Sequence, residues 1–109
     1  MHAIEESLRR INGEPVDTYR RVVVENNTVM IVEAGTTGYK GSRRDDGGRS
    51  ILSVTCSRGD FHFEALTDEN GDTVGFEVAC CGDDALNALM KVLRFAHEVL
   101  DDQRRGIDG

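Results

Sequence analysis

The stretch "TYRRVVVENNTVMIVEA", residues 18–34, decides the fold. Two runs rich in Val, Thr and Ile, 18–25 and 28–34, flank the pair Asn26-Asn27. β-Branched side chains suit a pleated, half-buried surface. Asparagine tolerates the positive φ that a two-residue hairpin turn requires. The segment therefore reads as an antiparallel hairpin. Downstream, "SILSVTC" (50–56) alternates Leu52, Val54 and Cys56 against Ile51, Ser53 and Thr55. "FHFEALT" (61–67) and "TVGFEVAC" (73–80) follow, separated by the turns "SRGD" and "DENGD", the second centred on Asn70-Gly71. Five strands with mostly short connections predict an antiparallel meander across 18–80.

The flanks of this sheet read as helical. In "HAIEESLRRIN" (2–12), Ile4, Leu8 and Ile11 fall at i, i+4 and i+7, and Gly13 and Pro15 supply a stop. A short N-terminal helix is expected within 1–13. "ALNALMKVLRFAHEVL" (85–100) is more regular, with Asp83 or Asp84 placed to cap it and to suit its dipole. Two apolar stripes run along it: Ala85, Ala88, Val92, Phe95, Val99, and Leu86, Leu89, Leu93, Ala96, Leu100. The predicted helix spans 83–102, and "QRRGIDG" (103–109) reads as a frayed tail. The expected fold is thus α+β: one domain of 109 residues, a five-stranded antiparallel meander, a short N-terminal helix and a long C-terminal helix. A helix on one sheet needs an apolar stripe only somewhat over 100° wide. The surplus face here could be covered by the N-terminal helix or by another subunit, and self-association is the favoured reading.

Composition narrows the function. Thirteen basic side chains against twenty acidic ones give a net charge of −7, which disfavours nucleic-acid polymers and anionic membranes as partners. No apolar run approaches the roughly 20 residues needed to span a bilayer, and no secretory signal opens the chain. Cys56, Cys80 and Cys81 are odd in number and match no zinc spacing, so they read as reduced, mostly buried residues of a cytoplasmic protein.

Against this acidic background, residues 35–49, "GTTGYKGSRRDDGGR", set Lys40, Arg43, Arg44 and Arg49 against only Asp45 and Asp46. A local cationic spot on an anionic body points to a small anionic ligand. Five of the chain's twelve glycines lie here, and glycines let backbone N–H groups approach a ligand closely. Thr36, Thr37 and Ser42 offer hydroxyls, Tyr39 an aromatic face, and Arg43, Arg44 and Arg49 forked donors for phosphate. No Gly-Lys-Ser/Thr follows and no helix opens after the loop, so it is neither a P-loop nor a dinucleotide fingerprint. On the C-terminal helix, Asn87, Lys91 and Arg94 form a polar line that could supply an anion-binding arginine at a subunit boundary. The plain alternatives are a solvated hairpin connection and an Arg94–Glu98 pair at i, i+4.

Catalysis finds little support. His2, His62 and His97 have no nucleophile or carboxylate partner by spacing, and the acidic pairs Asp45-Asp46, Asp83-Asp84 and Asp101-Asp102 sit in loops or at helix ends. A non-enzyme without metal or cofactor is expected.

"VEAGTTGYKGSRRDDGGRS" together with "GFEVACCGDDALNALMKVLRFAHEVL" resembles small phage-encoded proteins that carry a similar glycine-threonine loop, a "GGR" step and a closing helix. The likeness spans about residues 28–103. It is nearest to the first class of Thoeris anti-defence proteins, which sequester cyclic ADP-ribose-type immune signals in the cytoplasm of the infected bacterial host. The resemblance implies an antiparallel sheet with a C-terminal helix, assembly as dimers that can build hexamers, and binding without cleavage. Some family members hold cyclic trinucleotides at a second site. It further implies that Arg94 contacts the signal's phosphates across a dimer interface and that Thr37, Arg43, Arg44 and Arg49 belong to a pocket. Related loops often read "GGDxGHGGR" where this chain has "GSRRDDGGR". The alternative expectation is a small acidic protein that inhibits a host protein by direct contact.

Overall fold

The computed structural model describes residues 4–38 and 48–108, with side chains through 105. Its elements are β1 (Glu5–Ile11), β2 (Glu14–Glu25), β3 (Thr28–Thr36), β4 (Ser50–Arg58), β5 (Phe61–Thr67), β6 (Thr73–Cys80) and α1 (Asp83–Asp108). β1–β4 form one antiparallel sheet in sequential order, and β5 and β6 pair only with each other. The class is α+β with an antiparallel sheet and a long C-terminal helix, as expected. Three finer expectations are corrected.

The first correction concerns the N-terminus, where the structure has a strand and no helix. Asn12-Gly13 is a two-residue hairpin turn, with φ of 51° and 81°. It pairs Leu8 with Asp17 and Ile11 with Glu14. Ile4 and Leu8 gain no core from this arrangement and remain about half exposed. β1 is an edge strand protected by charge: Arg9 reaches Glu33 at 3.0 Å and Arg20 reaches Glu5 at 3.2 Å.

The second concerns the meander, which breaks after β4. The "SRGD" segment turns at Gly59, whose φ of +138° lies where side chains are strained. A Cβ there would also stand 3.1 Å from the Thr28 Cγ2. The chain leaves the sheet at this point, and the Cys81 amide bonds the Asp60 carbonyl to close the base of a separate β5–β6 hairpin. At the hairpin tip, Asp68 accepts the Asn70 and Asp72 amides around Gly71. Gly59→Ala is expected to lower stability by about 1–3 kcal/mol in chemical denaturation, the range of a side chain forced into a strained backbone.

The third concerns the helix, which continues through the supposed tail. Gln103 is fastened to the sheet at both ends of its amide: its Oε1 accepts the Thr36 amide and its Nε2 donates to the Asp17 carbonyl, each at 2.9 Å.

The core lies between α1 and one face of β2–β4. Val23, Met30, Val32 and Ala34 meet Ala88, Val92, Phe95 and Ala96, flanked by Tyr19, Val54 and Cys56. Strand alternation places Met30, Val32 and Ala34 on this face, and the first apolar stripe of the helix covers them. The Asn26 turn adopts the anticipated positive φ of 52°, and its Nδ2 donates to Asp84 at the helix start. Cys56 and Cys80 are half-buried, whereas Cys81 is exposed, and all three are free. No described helix is long and apolar enough to cross a membrane.

Candidate functional site

Where β3 ends and β4 begins, the two strands remain bonded beyond the sheet proper. The Thr37 amide donates to the Arg49 carbonyl, and the Arg49 amide returns to Thr37 Oγ1, both at 2.9 Å. Thr36 Oγ1 accepts the Gly38 amide and pairs with Ser50 Oγ at 2.7 Å. Gly48 lies flat against Gly38, so close that a Cβ would stand 1.8 Å from the Gly38 carbonyl oxygen. The threonines and glycines read in the sequence as ligand donors thus first shape the mouth of the loop.

Beside this mouth lies an open cavity of about 590 Å³, lined by Thr36, Gly38, Gly48 and Ser50 from the strand ends, and by His97, Leu100, Asp101 and Arg104 from α1. That volume is within the range of small-molecule sites. The four helix residues recur at i, i+3, i+4 and i+7, the spacing of one helical face, and this signal was present in the sequence. It was passed over because residues 103–109 read as a tail and His97 was weighed alone. Gln103, which bonds Thr36 and Asp17, fixes this part of the helix against the loop mouth.

The charge here is arranged as a pair and a reserve. Arg104 donates to Asp101 at 2.7 Å, and Arg105 approaches the same carboxylate at 3.3 Å. The Arg104 hydrogen bond holds the Asp101 carboxyl below its usual pKa; partial desolvation opposes this and the charge of Arg105 reinforces it. A depressed carboxyl stabilises the fold above the unfolded-state pKa and loses that contribution as pH falls through the lowered value. The Asp101–Arg104 pair is therefore intact at neutral pH.

The sequence candidates divide into three groups. Thr37 and Arg49 stand at the loop mouth, both half-buried. Tyr39, Arg43 and Arg44 lie outside the described residues. Asn87, Lys91 and Arg94 are exposed on the helix but do not line the cavity. Lys91 instead pairs with Glu25 across the β2–β3 turn. Within one chain, then, the loop meets the C-terminal third of the helix and not the stretch around Arg94.

Known protein families, curated proteins and solved structures offer no match to this chain. The site is therefore read from its own chemistry. Hydroxyls, backbone amides at a glycine mouth, and a guanidinium engaged by a single carboxylate can receive an anion with polar edges. The Thr36 and Ser50 hydroxyls bond each other. No described hydrogen bond joins either hydroxyl to His97, which is the geometry an activated nucleophile would need. Among the described residues no group of His, Cys, Asp and Glu is placed to hold a metal.

Proposed function

We propose that the cavity at the loop mouth binds a small anionic nucleotide signal, of the cyclic ADP-ribose or cyclic oligonucleotide class, and holds it uncleaved. On this reading the protein is a cytoplasmic, homo-oligomeric sponge that lowers the free signal in an infected bacterial cell and so suppresses antiviral defence. The observation that carries it is the convergence of the glycine mouth (Gly38, Gly48), two hydroxyls and Arg104 on one cavity of ligand size. Hydroxyls bonded to each other favour retention over cleavage. Arg104 can exchange its Asp101 partner for a phosphate, because a guanidinium presents a fork of five donors.

The test is capture and release. The protein is incubated with a panel of cyclic nucleotides, freed of unbound ligand and heat-denatured, and the supernatant is weighed by mass spectrometry. Intact signal is expected. Arg104→Ala should reduce capture by about tenfold to a hundredfold, the loss of one charge-assisted hydrogen bond. An altered mass would make the protein an enzyme. Arg94→Ala tests the placement implied by the resemblance: a comparable loss would put Arg94 at the ligand across a subunit boundary.

A second reading, inhibition of a host protein, draws on β5–β6. Residues 61–80 contain five acidic side chains and no Lys or Arg. This reading predicts a co-purifying host protein and indifference to Arg104→Ala.

A further inference from the structure

We infer that the β5–β6 hairpin is an arm exchanged between two copies of this chain, packing on the outer flank of the other copy's α1. The register of the hairpin sorts its side chains cleanly. Phe61 opposes Cys80, Phe63 opposes Val78, and Ala65 opposes Phe76, so these six share one face, with Val74 continuing it. His62, Glu64 and Glu77 take the other face. An apolar face of this kind belongs in a core, yet Phe76 is 69% exposed and Val74 65%. A lone two-stranded hairpin is at best marginally stable in water. This one forms no ladder with the four-stranded sheet, whose edge at β4 carries no described partner.

The second half of the surface is on the helix. Leu86, Met90 and Leu93 follow one another at four and three residues along a single flank, and each is about half exposed. They are the surplus stripe of the sequence. With a strand in place of the N-terminal helix, nothing described covers them. Both halves open into one cleft of about 330 Å³, where Phe63, Phe76 and Val78 face Leu52, Leu89 and Leu93.

A second copy is the occupant that satisfies both halves together. In a two-fold pair the same patch serves on each side, so the Val74–Phe76 arm of each copy enters the other's cleft and covers its Leu86–Met90–Leu93 stripe. The half-exposed side chains of arm and stripe amount to roughly 600 Å² per copy, close to the ~800 Å² per partner of a stable interface. Charge agrees with this pairing. The arm tip carries Asp68, Glu69 and Asp72, while the polar line beside the helix stripe carries Lys91 and Arg94.

Light scattering on a size-exclusion column reads the result directly. The native chain should elute with twice its 12.0 kDa mass. Phe76→Lys on the arm, and separately Met90→Lys on the helix, should each return it to the single-chain mass with helical circular dichroism unchanged, since both side chains are exposed in one copy. Amide exchange across 61–80 should slow as protein concentration rises from about 1 to 100 μM, a readout that needs no variant. A native chain of single mass throughout that range, exchange independent of concentration, or a double mass retained by both variants would overturn the proposal.

Discussion

Replacing Phe95 by alanine is expected to cost about 3–5 kcal/mol of folding free energy, the range for deleting a buried aromatic ring. Phe95 is 5% exposed and stands where the helix crosses β2 and β3, among Val23, Met30, Val32 and Ala88. Three of its neighbours in this cluster, Ala34, Ala88 and Ala96, are too small to reach into the space it would leave. The sheet has one helix on this face, so no second layer can collapse inward. Arg21 adds to the cost, because its guanidinium lies 5.9 Å from the ring centroid and loses a cation–π partner worth about 0.5–1 kcal/mol at an exposed site. Domains of this size hold on the order of 5–15 kcal/mol in total. The variant should therefore unfold at a much lower urea midpoint with a similar slope. A change below about 1 kcal/mol would show that the helix contributes little to the core.

The same packing explains which parts of the fold were legible. β2 and β3 were read correctly because β-branched runs on either side of Asn26-Asn27 leave the backbone few alternatives. The N-terminus misled because Ile4, Leu8 and Ile11 satisfy a helical spacing as well as an edge strand that buries little. Asn12-Gly13, a strong hairpin pair, decided in favour of the strand. The split of the sheet turns on one dihedral at Gly59, and a turn sequence such as "SRGD" is compatible with a strand that folds back or one that departs. At the site, glycines and threonines announced the loop half, since few other reasons place them together between strands. The helix half was hidden by chemistry of mixed character. His97, Leu100, Asp101 and Arg104 share a face without sharing a hydropathy, so neither an apolar nor a polar stripe draws attention to them. The surplus stripe Leu86–Met90–Leu93 was legible as surplus; the exposed face of the hairpin opposite it depends on a register that only the structure gives.

Gly48→Ala is expected to abolish most ligand capture while leaving the fold largely intact. A methyl group at Gly48 would stand 1.8 Å from the Gly38 carbonyl oxygen and 3.1 Å from Thr37 Oγ1. Both contacts are too short to persist, and the first is with backbone, which cannot swing aside as a side chain can. The two strand ends must part. That movement breaks the paired bonds between Thr37 and Arg49 and turns the Gly38 and Gly48 backbone away from the cavity. Overpacking at such a place costs about 1–3 kcal/mol, a modest loss for stability because the core lies further along the strands. Its effect on binding is larger, since every strand-end residue of the cavity shifts together; a drop of at least tenfold in captured signal is expected, equal to or beyond that of Arg104→Ala. Gly75→Ala supplies the control: its Cβ would meet only Leu66 Cδ1, at 3.9 Å, on the distant hairpin. Capture and urea midpoint measured on the same preparations separate the causes. Lost capture with a midpoint near that of the native chain ties ligand binding to the loop mouth. Lost capture that merely tracks a collapsed midpoint assigns Gly48 to the fold. Full capture by Gly48→Ala would move the site away from this loop, because no ligand held by these strand ends could tolerate their separation.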